Sequence, residues 1–259
     1  MDLQLAGKTA VVTGASRGIG LATVQALVAE GVKVVGAART VTPELADSGA
    51  SAVEADLATA EGAEYLANQA LAELGQVDVL VNNVGGHDPL VGGLRAIDDT
   101  AWQQVFDLVF FSTVRVTRAL LPSLLEQRGA IVNVSSLAAR VPSAGPIDYA
   151  SAKAAVTAFG RALAEEVGPQ GVRVNTVSPG PVRTSQMEGP DSSAAKMAAA
   201  AGMDLAELLA SIPARRGVTL GRLGEPSEVA ALIAYLASPT AAFITGADIR
   251  IDGGAVKTV

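Results

Sequence analysis

Short runs of valine, isoleucine and alanine recur along the chain, and most do not alternate with polar residues. The runs are Thr9–Thr13, Val32–Ala37, Ser51–Glu54, Val77–Val81, Ala130–Val134, Val172–Val177 and Asp248–Ile251. An alternating strand hides one face, whereas a continuously apolar strand is covered on both, as in a parallel sheet between two layers of helices. Helical patterns fill the intervals: Gly18–Glu30, Thr59–Leu74, Thr100–Gln127, Tyr149–Val167 and Glu225–Leu236. Gly31, Gly75 and Gly168-Pro169 stand where helices stop. This order predicts an α/β fold, a Rossmann-type doubly wound parallel sheet of about seven strands flanked by helices. No linker or repeat divides it, so residues 1–259 read as a single domain.

Two segments break the rhythm, Gly85–Asp99 and Pro181–Gly224, and both follow strands. Ligands of open α/β sheets bind beyond the carboxyl ends of strands, so these segments are candidate substrate walls. Within the second, residues 185–216 read as a lid insert containing Met187, Met197, Met203, Leu205, Leu208, Leu209 and Ile212. Adaptable side chains of this kind suit an apolar or variable substrate, and equally suit a lid packed on itself. Arg215 and Arg216 either meet an acidic substrate or face water, and water is the default for exposed arginine.

Composition excludes several chemistries. The chain has no cysteine and one histidine, His87, which removes disulfides, thiolate catalysis and any site needing two imidazoles. No metal site is expected. The net charge of −7 argues against a nucleic-acid partner. No signal-like or spanning segment stands out, so no membrane partner and a cytoplasmic location are expected. Charged residues are 17% of the chain, few for a monomer surface, which points to self-association. His87 follows two glycines and reads as a loop residue shaping an entrance rather than as an acid or base.

Between the first strand and first helix stands Thr13-Gly14-Ala15-Ser16-Arg17-Gly18-Ile19-Gly20. Glycines there permit a tight turn and close backbone approach to a pyrophosphate, with helix N–H groups and a partial positive charge behind them. After the second strand, where a carboxylate would bind the ribose hydroxyl of NAD, the chain has Arg39. Arg17 and Arg39 together suit the 2′-phosphate of NADP, as two guanidinium donors for one anion. NADP(H) is therefore the expected cofactor and NAD(H) the alternative.

Tyr149 and Lys153 are four residues apart and share a helix face. An ammonium beside a phenol stabilises the phenolate and lowers its pKa, making tyrosine a usable proton carrier. Ser135-Ser136, at the end of the fifth strand, offers a hydroxyl that can hold a carbonyl oxygen beside that tyrosine.

The chain resembles the short-chain dehydrogenases/reductases over nearly its whole length. The resemblance rests on TGASRGIG at 13–20, Asp56-Leu57, Asn82-Asn83-Val84-Gly85, Ser136 and Tyr149-x3-Lys153, in that order. Asn175-x3-Pro179-Gly180, the run Gly221 to Pro226, and Ile251-Asp252-Gly253-Gly254 complete the ordered set. It implies that Gly14, Ser16, Arg17, Gly18, Ile19 and Gly20 hold the pyrophosphate and adenosine ribose. Asp56 and Leu57 would contact adenine, and Asn83 and Gly85 would line the cofactor's centre. Pro179, Gly180, Val182 and Thr184 would seat the nicotinamide. Tyr149 would exchange the proton, Lys153 would bind the ribose, and Ser136 would orient the carbonyl.

The implied activity is hydride transfer between NADP(H) and a small carbonyl/alcohol substrate. Two residues depart from the family pattern. Val84 replaces an alanine, a small change. Val109 stands where the family usually has an asparagine that supports a water beside the lysine, and a valine side chain cannot hydrogen-bond. Its backbone carbonyl, or Ser112 or Thr113, is the alternative support for that water. The helix around Val109 is apolar nearly all round, and in the family it pairs across a subunit interface, which implies a homotetramer with a dimer as alternative. An NAD-linked dehydrogenase, or a cofactor-binding sensor with weak turnover, are the competing readings.

Overall fold

The computed structural model describes residues 2–86, 93–142, 145–185, 187–189 and 192–257. Its strands are β1 (Thr9–Thr13), β2 (Lys33–Ala38), β3 (Ser51–Glu54), β4 (Val79–Asn82), β5 (Ala130–Val134), β6 (Arg173–Pro179) and β7 (Asp248–Ile251). They form one sheet in the order β3-β2-β1-β4-β5-β6-β7, and every pairing is parallel. The helices are α1 (Gly18–Ala29), α2 (Pro43–Ala46), α3 (Ala60–Leu74), α4 (Asp99–Phe106), α5 (Ser112–Gln127), α6 (Ile147–Val167), α7 (Ser193–Ala201), α8 (Leu205–Arg215) and α9 (Pro226–Ala237).

β1, β4 and β5 are buried along their full length, as their unbroken apolar runs require. One core lies between the sheet and α1 with α9, with Val12, Leu27 and Ile233 in it. The other lies on the opposite face, where Leu66 of α3, Leu120 of α5 and Val167 of α6 meet Val11 and Ile131. The strand order reverses between β1 and β4, which opens a crevice at their carboxyl ends.

Residues Asp99–Gln127 form one helix of 29 residues with mean hydropathy 1.4, long and apolar enough by those measures to cross a membrane. Here it packs on the globular fold, against α3 through α5 and against α6 through its first half. Asp107–Phe111 within it is a π turn, in which Ser112 N–H donates to the Asp107 carbonyl.

β4 begins two residues later than its apolar run suggests, because Asp78 stands in the way and is used differently. Its buried carboxylate accepts from Lys8 Nζ at 2.8 Å, from Thr9 N at 3.0 Å and from Thr9 Oγ1 at 2.9 Å. These bonds tie the entry of β1 to β4. Burial pushes the Asp78 pKa up, but the bonds from Lys8 and Thr9 more than offset that and hold it below the usual carboxylate value. Asp78→Ala should therefore destabilise the fold by about 2 kcal/mol in urea unfolding at pH 7, since it strands buried donors. A carboxylate with a lowered folded pKa stabilises above its unfolded pKa and loses that contribution as pH falls through the folded value. The gap between wild type and Asp78→Ala should accordingly narrow below about pH 4. A gap independent of pH would assign it to packing alone.

Candidate active site

The crevice starts where β1 ends. Gly14 has φ +65°, a left-handed conformation natural to glycine, and a Cβ there would press on Asn83 Nδ2 at 3.0 Å. Asn83 pins this turn by donating to the carbonyls of Thr13 at 3.0 Å and Gly14 at 3.1 Å. Thr13 Oγ1 accepts in return from the backbone N–H of Asn83 and Val84. The loops after β1 and β4 are thus locked to each other at the switch point.

The turn delivers the chain into α1 with Arg17 at the N-cap and no side-chain cap. No acidic residue occupies its first turn. By contrast, Thr42, Thr59, Asp98, Ser192 and Asp204 cap α2, α3, α4, α7 and α8 with their side chains. The first N–H groups of α1 and its positive dipole end are left open to an anion.

A cleft of about 1730 Å³ runs from this turn across the carboxyl edge of the sheet. That exceeds the roughly 300–1,000 Å³ of a pocket for one drug-sized ligand, leaving room for a dinucleotide and a second molecule. Gly14, Ser16, Arg17, Gly18, Ile19, Arg39, Asp56 and Leu57 line one end. Asn83, Gly85, Ser136, Tyr149 and Lys153 line the middle, with Pro179, Gly180, Val182 and Thr184 opposite. Of the residues expected at the site, Gly20 alone is not in the lining. A Cβ there would overlap the Gly14 carbonyl oxygen, so Gly20 lets the helix close against the turn.

Arg17 and Arg39 are exposed on the rim, and neither forms an ion pair among the described residues. Asp56 is exposed, and its Oδ1 accepts from Ala58 N at 3.1 Å.

In the middle of the cleft, the Ser136 hydroxyl stands near the Tyr149 phenol and caps its own short turn by accepting from Ala138 N. Lys153 is 2% exposed, with Nζ 5.8 Å from the Tyr149 ring centroid. It donates to the Val134 carbonyl at 2.7 Å. Gly85 provides the room, because a Cβ there would sit 2.8 Å from Lys153 Nζ. Ser135 is used for support: its hydroxyl donates to the Lys153 carbonyl at 3.0 Å and meets Thr157 Oγ1 at 2.8 Å, fixing α6 to the end of β5. Two adjacent serines carry no sequence signal of this division of labour, and the backbone acceptor at Val134 carries none at all.

The expected lowering of the Tyr149 pKa by Lys153 does not occur in this arrangement. Burial pushes the phenol up, and the Ser136 hydroxyl only partly opposes it. Burial likewise lowers Lys153 from 10.5 to about 8. Desolvation exceeds the mutual stabilisation of the pair.

Val109 is fully buried in a small cluster with Val105, Ala152 and Val156, flanked by Phe106, Phe110 and Tyr149. Ser112 and Thr113 turn back into their own helix, donating to the carbonyls of Leu108 at 2.6 Å and Val109 at 3.2 Å. Both hydroxyls spend their donor on their own helix, and the Val109 carbonyl already accepts from Thr113. His87 lies outside the described residues.

The segment after β6 forms two helices, α7 and α8, turned by 98° at a break that contains Gly202. Ala194, Ala198 and Leu208 make a core of their own with Met187, Met203, Leu205 and Leu209 around it. Met187, Met197, Leu208 and Ile212 face the cleft, so the segment both packs on itself and presents an apolar wall. Its first residues reach the glycine turn, where Thr184 Cγ2 lies 3.3 Å from the position of a Cβ on Gly18.

The family described as enoyl-(acyl carrier protein) reductase matches residues 14–256. The 3-oxoacyl-[acyl-carrier-protein] reductase FabG of Vibrio cholerae is 35% identical over 260 residues, covering 97% of this chain and 98% of that protein. Among solved structures, L-sorbose reductase of Gluconobacter frateurii, in complex with NADPH and L-sorbose, superposes with a TM-score of 0.90. It is 30% identical, with 100% of both chains covered. A short chain oxidoreductase of Pseudomonas aeruginosa PAO1, described as containing an atypical catalytic center, has a TM-score of 0.86 and 33% identity over 98% of this chain and 99% of that one.

The burial of Lys153 makes a prediction about stability. A lysine whose folded pKa is lowered costs stability while it is protonated in the folded protein, and the cost fades as pH rises toward its unfolded pKa of about 10.4. Lys153→Met should raise the unfolding free energy at pH 7 by about 1–3 kcal/mol, with the gain shrinking toward pH 10. A variant less stable than wild type at pH 7 would mean that the bond to Val134 outweighs desolvation.

Proposed function

The chain belongs to the short-chain dehydrogenase/reductase family and is an oxidoreductase of carbonyl/alcohol pairs; from that premise we propose that it is NADP(H)-dependent and reduces a ketone with Tyr149 as proton donor. The observation that carries the reading is the meeting of Ser136, Tyr149 and a buried Lys153 in a cleft that begins at the uncapped end of α1. Two hydroxyls converging on one point suit a carbonyl oxygen, which accepts two hydrogen bonds.

The residues fit the cofactor. The bare glycine turn and open helix end suit a pyrophosphate, held by Gly14, Ser16, Arg17, Gly18 and Ile19. Arg17 and Arg39 take the 2′-phosphate, for which their lack of carboxylate partners leaves them available. Asp56 and Leu57 flank the adenine. Asn83 keeps the turn in shape and lines the centre of the cleft with Gly85. Lys153 binds the nicotinamide ribose, and Pro179, Gly180, Val182 and Thr184 border the ring. When bound, the nicotinamide supplies the hydride for the carbonyl carbon.

Tyr149 donates its proton to the carbonyl oxygen as that oxygen gains charge. Its raised pKa favours this direction, because the phenol is protonated at neutral pH and has a proton to give. Ser136 holds the oxygen in line. The Lys153 ammonium stabilises the phenolate left behind, which regains a proton from solvent. The segment 185–216 covers the substrate as a lid. Its apolar wall supports an apolar substrate body.

We also propose a homotetramer acting in the cytoplasm, with a dimer as the alternative. Phe111 is 36% exposed on the long apolar helix beside the half-buried Phe106 and Phe110, surface that a second copy would cover. Sedimentation of the protein as a single chain at micromolar concentration would refute self-association.

Tyr149→Phe should lower NADPH-dependent ketone reduction by about 10²–10⁴-fold, while NADPH affinity by fluorescence titration stays within about twofold. Full activity in that variant would sink the mechanism, and a parent protein inactive on broad carbonyl and alcohol panels would favour a cofactor sensor. Arg39→Ala should weaken NADPH binding about tenfold or more and leave NADH unchanged, and Arg17→Ala, which also loses a pyrophosphate contact, should weaken NADPH by more than it weakens NADH. Equal weakening of both cofactors, or equal affinity in the parent, would assign the site to NAD(H).

A further inference from the structure

The cleft is more basic than the molecule that carries it. The chain as a whole has a net charge of −7. Yet the charged residues lining the cleft are Arg17, Arg39, Lys153, Arg215 and Arg216 against Asp56 and Asp107. Arg17, Arg39 and Asp56 follow β1, β2 and β3, at the cofactor's adenosine end. Asp107 is already neutralised by Arg115 at 2.8 Å. Arg215 and Arg216 come from the end of α8, which follows β6 on the other side of the switch point.

Arg215 differs from the arginines that carry a carboxylate partner. Arg140, Arg161, Arg183 and Arg222 each pair with a carboxylate. The side-chain contact of Arg215 is with a thioether, Nη2 lying 3.7 Å from Met203 Sδ. It has no carboxylate partner among the described residues. Met187, Met197, Leu208 and Ile212 supply apolar lining to the same cleft as the Ser136–Tyr149 pair. Leu208, Ile212 and Arg215 follow one another on one face of α8, so that the apolar wall leads to the cation.

We infer that Arg215 is a specificity-determining residue that selects ketones carrying an anionic group, a carboxylate or a phosphate, at the far end of an apolar segment. The inference rests on the carbonyl-reductase reading above and names the substrate class of that same site. The carbonyl oxygen sits between Ser136 and Tyr149, the aliphatic part lies along the methionine and leucine wall, and the anion meets the guanidinium. A neutral ketone of equal length gains the first two contacts only.

The test compares oxo acids with their methyl esters at two lengths, 4-oxopentanoate and 8-oxononanoate, by NADPH consumption with the full-length protein. At one length or both, kcat/KM for the acid should exceed that for its ester about tenfold. Arg215→Gln should abolish that preference by raising KM for the acid about tenfold, with kcat and ester turnover unchanged, and Arg215→Lys should retain part of it. Esters reduced as well as acids at both lengths would overturn the inference, as would a Gln variant impaired equally on both. If no ketone, ester included, is reduced, the carbonyl-reductase reading fails by itself, and the cation is read by binding instead. Calorimetric titration of octanoate and 1-octanol into the NADP-saturated protein should then show octanoate binding weakened about tenfold by Arg215→Gln and octanol unaffected. Equal binding of octanoate to both proteins would overturn it.

Discussion

The contact on which the site depends is the closure of α1 against the glycine turn. Gly20 has to lie against the Gly14 carbonyl with no side chain between them. That carbonyl and its neighbour at Thr13 are bonded by Asn83 from the loop after β4. The start of α1, the end of β1 and the end of β4 are therefore one unit. A parallel sheet that reverses its strand order at this place leaves a crevice, and the uncapped helix end supplies the crevice with partial positive charge. Moving any of the three would open the turn and misdirect α1, and with it the N–H groups that suit a phosphate.

The second dependency is electrostatic and runs against stability. Lys153 is held in a place too dry for a comfortable ammonium, between Gly85 and the Val134 carbonyl. Tyr149 sits where its phenolate is disfavoured. Both shifts have burial as their largest cause, so the same dryness that strains the two groups strengthens their interaction once charge develops between them. Ser135 and Thr157 fix the helix through the Lys153 carbonyl, which keeps that strain in register with Ser136.

Most of the fold was legible because its signal is repetitive. The runs for β1, β3, β5 and β7 have the observed bounds, and for β1 and β5 the reason is that apolar strands covered on both faces leave few alternatives. β4 was misjudged at its start, because an aspartate inside an apolar run gives no sign that three bonds await it. The turn, Ser136 and the Tyr149–Lys153 pair were legible from spacing and resemblance, and the cleft brings them together. What was not legible depends on side-chain direction. Gly20 faces the turn rather than the cleft, and Ser112 and Thr113 bond to their own helix, as hydroxyls in helices often do. Spacing alone cannot tell a hydroxyl that faces a lysine from one that faces a carbonyl one turn back. Whether the segment after β6 packs on itself or presents an apolar wall was open for the same reason, and Leu208 does both.

Charge placement explains how an acidic chain can suit anionic ligands. A net charge of −7 repels a dinucleotide phosphate at long range, but surface charges are screened beyond about 8–10 Å at physiological salt. Within that distance the cleft presents its own field. Arg17 and Arg39 stand at one end without carboxylate partners among the described residues, Lys153 is in the middle, and Asp107, an acid in the lining, is paired to Arg115. Elsewhere, Arg140, Arg161, Arg183 and Arg222 are each matched with a carboxylate. Arg17, Arg39 and Arg215 line the cleft with no carboxylate partner among the described residues, so local potential rather than the total decides what binds. An apolar wall in the same cleft then favours ligands that carry hydrocarbon as well as negative charge.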